Sequence, residues 1–151
     1  MLWLRNKAGK SGIGNLKYEY AKLKAITDFL KTSKKEILMI NKIFSLSQNV
    51  RYVAIYRDGK LETKSKEGSV DASGSESDRY EELLVNPTLL TLAAQRGNID
   101  CGGLEYLIIR YGNFFQFVLP TPWGHVSVCI EKDADPVAIG LKVKSLIKED
   151  W

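Results

Sequence analysis

The 151-residue sequence predicts an α+β domain: a five-stranded antiparallel sheet covered by helices on both faces, in the order αββαβββα, behind an extra N-terminal helical arm. Three observations carry this. An Asp58-Gly59 pair separates two strand-like runs, the last third holds three strand-like runs in succession, and the strands are apolar on both sides. A sheet greasy on both faces needs helices on both. With 44% apolar and 26% charged residues the chain is long enough to bury a core without staples.

The first helical signal runs from Leu16 to Leu30, with apolar residues at 16, 20, 23, 26, 29 and 30. Thr32 or Ser33 is expected to cap a second helix, because Ser33 with Glu36 makes a capping-box pattern. Ile37, Ile40, Ile43 and Phe44 give that helix a broad apolar face. Val50–Arg57 is β-branched and aromatic, and residues 60–66 alternate with three lysines, as a protected sheet edge does. Asp58-Gly59 between them supplies the positive φ angles of a type I′ turn.

Residues 67–78 are rich in Ser, Gly and acid and read as a surface loop. Asp78 is expected to cap a short helix, which Asn86-Pro87 restarts and Gly97 closes. Strands are then expected at 104–111, 113–119 and 125–130, with a tight turn at Gly112-Asn113 and a longer one over 120–124. Alternation places Leu107 and Ile109 with Phe115, Phe117 and Leu119 on one face. Tyr52, Tyr56, Tyr106, Ile108, Phe114 and Val118 fall on the other. Asp133 to Pro136 starts a final amphipathic helix.

Charge divides the chain into an arm, 1–35, and a body, 36–151. The arm carries nine Lys/Arg against Glu19 and Asp28, a net +7, while the body carries −3. Such an arm, with Lys7, Lys10 and Lys17 at its start, suits an acidic protein, nucleic acid or an anionic membrane. No apolar run has the ~20 residues of a membrane helix. Two cysteines without a CxxC, and a start without a long apolar run, fit a reducing, cytoplasmic address.

Catalytic patterns fail one by one. Gly9-Lys10-Ser11 lacks the phosphate loop's earlier glycine, since Leu4 stands there. His125, Ser127 and Cys129 share a strand face, but no third group orients them as a nucleophile and base. One histidine and two cysteines offer no metal cluster, and no cofactor motif is present. Trp123, in the Pro-Thr-Pro-Trp turn, is a candidate partner-binding aromatic or a plug over the core edge.

The element order resembles the roadblock (dynein light-chain) family and its profilin-like layout over residues 36–150. The resemblance rests on the Asp58-Gly59 hairpin, Leu-Ala-Ala-Gln-Arg-Gly (92–97), Gly102-Gly103-Leu104, Tyr111-Gly112-Asn113 and Gly124-His125-Val126. It implies a non-enzymatic dimer, self-paired or mixed, that acts as a scaffold or regulator, often for small Ras-like GTPases. It further implies a seam of Leu104, Tyr106, Ile108 and Arg110 with Leu89, Leu92 and Ala93. An unblunted third strand favours a homodimer on physical grounds as well. Two other readings share the layout: a sensory domain binding a small molecule at Tyr52, Tyr56 and Tyr106, or a secretion-type chaperone holding an extended client.

Overall fold

A computed structural model describes residues 11–151. The chain divides into two compact units, Met1–Lys35 and Glu36–Trp151. Helix α1 spans Ser11–Ser45 without interruption. The expected cap at Ser33 is therefore corrected: Ser33 lies inside the helix, and Glu36 is buried instead of reaching back to a helix start.

In the second unit, β1 (Val50–Arg57), β2 (Lys60–Ser65), β3 (Leu107–Arg110), β4 (Phe114–Thr121) and β5 (Gly124–Glu131) form one sheet in the order β2-β1-β5-β4-β3. Every pairing is antiparallel. The β1–β2 turn takes positive φ at Asp58 and Gly59, as a type I′ turn requires. β2, with Lys60 and Lys64, forms one edge and β3 the other.

One sheet face carries Val53, Ile55, Phe117, Leu119, Val126, Val128 and Ile130. These pack with Met39, Ile40 and Ile43 of α1 and with Ile139, Val143 and Ile147 of α4 (Pro136–Asp150). Asp135 caps α4, accepting from the N–H groups of Val137 and Ala138 at 3.0 and 3.1 Å. Gly140 lets α4 approach the sheet: a Cβ there would lie 2.3 Å from the Phe117 ring.

The other face meets a continuous helical run made of α2 (Ser75–Tyr80), a π turn (Glu81–Val85) and α3 (Asn86–Asp100). Asp78 does not cap it; Gly74 precedes the first turn, and Asp78 accepts from the Ser73 hydroxyl. Nor does Asn86 restart it, since Asn86 is buried within the run. A proline inside a helix lacks an N–H and its ring crowds the carbonyl four residues back, here that of Leu83, which lies within the widened turn.

Gly97 does not end α3 either. The helix continues to Asp100, and Gly97 is needed because a Cβ there would lie 3.0 Å from the Gly103 carbonyl carbon. This contact holds the segment leading into β3 against α3. With Gly102 and Gly103 at positive φ, the strand starts at Leu107 instead of 104. The β4–β5 turn is also tighter than expected, since Thr121 pairs with Gly124 and only Pro122 and Trp123 lie between. Pro120 is tolerated within β4 because short β3 does not extend beside it.

The register corrects the expected faces of β3. Ile108 pairs with Phe117 and Arg110 with Phe115, so Ile108 and Tyr106 pack on the core shared with α1 and α4. Leu107 and Ile109, opposite Val118 and Gln116, take the face of the middle helix. The glycine-rich lead-in gave no reliable phase for the alternation.

Candidate functional site

The exposed edge of β3 and the outer side of α3 form the candidate site. The Tyr111 N–H donates to the Phe114 carbonyl at 2.9 Å and closes the β3–β4 hairpin. Antiparallel ladders alternate bonded and non-bonded pairs, so the backbone groups of Ile109 and Leu107 turn toward β4. Those of Ile108 and Arg110 turn toward the open edge. No proline interrupts this edge, and its one charged residue, Arg110, stands at the strand's end. The Arg110 guanidinium folds back over the Phe115 ring, 4.8 Å from its centre.

Along α3, Leu89, Leu92, Arg96 and Ile99 recur at intervals of three, four and three, which brings them to one side of the helix. Leu92 is 59% and Ile99 76% exposed, and Leu89 is exposed as well. Arg96 pairs with Asp100 at 2.5 Å. Ala93 beside them is half-buried. Leu104 and Tyr106 fall just before β3, and the Tyr106 ring lies 5.2 Å from Phe117, inside the core layer. Of the seven expected seam residues, then, Leu89, Leu92 and Arg110 are exposed, while Ala93, Leu104, Tyr106 and Ile108 are half-buried. Ile99 was missed because Gly97 read as a helix stop, although its spacing from Leu92 was already the signal.

Trp123 sits at one end of the core. It meets Trp151 edge-on at 4.8 Å, and the Arg57 guanidinium stacks over both rings at 5.0 and 4.8 Å. Lys17 lies on α1, exposed. Lys7, Lys10 and the Gly9-Lys10 pair lie outside the described residues.

The strand face that carried His125, Ser127 and Cys129 is buried and polar. His125 Nε2 lies 2.7 Å from Glu82 Oε2, and Gln116 Nε2 donates to Ser127 Oγ at 2.8 Å. Burial pushes the Cys129 thiol well above its ordinary range, with the Glu82 carboxylate adding to the effect. A buried thiol held protonated is a poor nucleophile. The Tyr111 hydroxyl donates to Glu81 Oε1 at 2.8 Å, and burial first and that bond second raise its pKa to about 12. Tyr52 opens on this face and Tyr106 on the opposite one, so the expected three-tyrosine surface is corrected. The cavity beside Tyr52, lined by Arg51, Ser73, Phe114 and Cys129, measures about 20 Å³, space for roughly one water. Among the described residues no cluster of His, Cys, Asp and Glu could hold a metal ion. No helix among them is long and apolar enough to cross a membrane.

No protein-family model matches the sequence, and no curated protein matches it. Solved structures do. A Roadblock/LC7 domain from Streptomyces avermitilis superposes with a TM-score of 0.57 at 14% identity, covering 74% of this chain and 91% of that one. The gliding protein MglB from Thermus thermophilus gives 0.53 at 13% identity, over 78% and 83% of the two chains. MglC from Myxococcus xanthus gives 0.51 at 10% identity, over 77% and 96%. The chain has the roadblock fold.

Proposed function

We propose that this protein is a non-enzymatic interaction module that pairs with a second copy of itself along β3 and serves as a scaffold or regulator. The observation that carries the reading is the open β3 edge, whose outward backbone groups at Ile108 and Arg110 lack a strand to bond. An unpaired edge of apolar residues favours strand addition. The exposed stripe of Leu89, Leu92 and Ile99 on α3, the helix that precedes β3, would add apolar area to such a seam. Pairing by a two-fold axis would join the two sheets into one and cover the β3 edge of both copies at once, leaving the lysine-bearing β2 edges outermost. The partner acted upon, in this reading, is a small Ras-like GTPase or another signalling protein, as the roadblock resemblance implies.

Amide exchange in the full chain tests the seam. In a paired edge the Ile108 and Arg110 amides exchange as slowly as those of Leu107 and Ile109. Rapid exchange at Ile108 and Arg110 beside slow exchange at the other two overturns the reading.

A further inference from the structure

The arm helix presents exposed apolar residues, unlike the β3 edge in chemistry and separate from it in sequence. Between Ile13 and Lys34, α1 is helical throughout, and Leu16, Leu23 and Leu30 repeat at intervals of seven. These three are between 61% and 71% exposed. Ile13, Tyr20, Thr27 and Lys34 repeat at the same interval, three residues ahead of or four behind each leucine. Together they fill the a and d positions of three heptads, with leucine at every d position and Ile13, Tyr20 and Thr27 at a, before Lys34 opens the next.

We infer that this helix forms a parallel two-stranded coiled coil with the arm of a second copy of the chain. A strict seven-residue repeat drifts by ~20° per heptad around a straight helix, and only a supercoiling partner follows that drift. A flat lipid surface does not. The flanking positions choose the orientation. Lys17, Lys24 and Lys31 all fall at e, so antiparallel helices would set lysine against lysine. In the parallel arrangement the g residue Glu19 faces Lys24 of the second copy, an opposite-charge pair. Lys34 at an a position, with Leu at d, favours two strands over larger bundles. The helix from Ile13 to Lys34 offers about 33 Å of contact length. A body that pairs along β3 gains from the coil a second, independent tie between copies.

Disulfide trapping in the full chain tests this, in a Cys101→Ser background that removes the exposed native thiol. Thr27→Cys places a thiol at an a position, where parallel partners meet within disulfide reach. Ala25→Cys points away from the seam. Diamide, which takes two hydrogens from two thiols, is the oxidant. The expected result is a disulfide-linked species of twice the chain mass from Thr27→Cys, at least tenfold more abundant than from Ala25→Cys. Adding Leu23→Lys should abolish it, and Lys24→Glu should reduce it unless Glu19→Lys accompanies it. Equal or absent cross-linking at the two positions overturns the coil. So does trapping that Leu23→Lys leaves intact, or an arm that instead binds anionic vesicles without trapping. Circular dichroism of each variant reports whether the helix persists. The Ile108 and Arg110 amides report the β3 seam separately, so the two ideas fail independently.

Discussion

The Glu82 carboxylate meets the His125 imidazole at 2.7 Å with both side chains shut off from solvent, joining the π turn of the middle helix to β5, the central strand. Asn86 Nδ2 donates to the same Glu82 oxygen at 3.0 Å, so one atom receives two elements. Removing either side chain leaves the other buried without its hydrogen-bond partner, a loss of about 1–3 kcal/mol. His125→Leu should fall in that range by urea unfolding. Glu82→Leu with His125→Leu should cost clearly less than the two single losses added together. Strict additivity would show that the contact is incidental to stability.

A second buried carboxylate lacks even that partner. Glu36 is 1% exposed, and neither of its oxygens is hydrogen-bonded within the protein. Burial raises its pKa above the usual 4.5, Arg57 and Lys60 oppose the rise, and Glu62 and Asp58 add to it. A carboxyl raised in the folded state holds its proton more tightly there than in the unfolded chain. Its contribution is complete below pH 4.5 and is lost as the pH climbs through the folded value. Glu36→Met should therefore stabilise at pH 7 by about 1 kcal/mol, the low end of the cost of an unpaired buried polar group. The gain should shrink toward pH 4 in a series of thermal melts. A pH-independent difference would remove ionisation as its cause.

These carboxylates show where sequence reasoning stopped. The hairpin at Asp58-Gly59, the Asp135 cap and the apolar layer of β4 and β5 were legible because each rests on local geometry or strict alternation. Asn86 read as a helix cap, since nothing local says that a π turn will bury it and Glu82 beside His125. Gly97 likewise carried a helix-end signal, yet its missing side chain serves a contact with Gly103. At the candidate seam, composition marked β3 as unprotected, but its facing depended on where the Gly102-Gly103 lead-in released the chain.

The glycines give a paired test of packing against propensity. A Cβ at Gly140 would sit inside the Phe117 ring's contact distance, whereas one at Gly14 meets nothing within 4 Å. Gly140→Ala should destabilise by about 1–3 kcal/mol through overpacking. Gly14→Ala should instead raise the helical signal of α1, with up to about 1 kcal/mol of local gain. Equal and small effects at both positions would mean that α4 does not approach β4 this closely.

Thiol reactivity separates the two cysteines. Cys101 is exposed at the end of α3, while Cys129 is buried with its pKa pushed up by desolvation. The native protein should take up one equivalent of a thiol reagent quickly and the second only on denaturation. Cys101→Ser should abolish the fast phase. A fast phase that survives this substitution would show that the layer around Cys129 opens readily.

The stripe on α3 permits a test in which folding and association part company. Leu92 and Ile99 are so exposed that glutamate at either position should change the stability of a single chain by less than about 0.5 kcal/mol. In a seam the same charges would be buried against a second copy, where unpaired carboxylates are costly. Leu92→Glu combined with Ile99→Glu should therefore speed amide exchange at Ile108 and Arg110 at least tenfold. The amides of Val126 and Val128, deep in the sheet, should hold their protection. Unchanged exchange at the edge would separate the α3 stripe from the β3 seam, and a collapse of protection throughout would mean that the stripe stabilises the single chain.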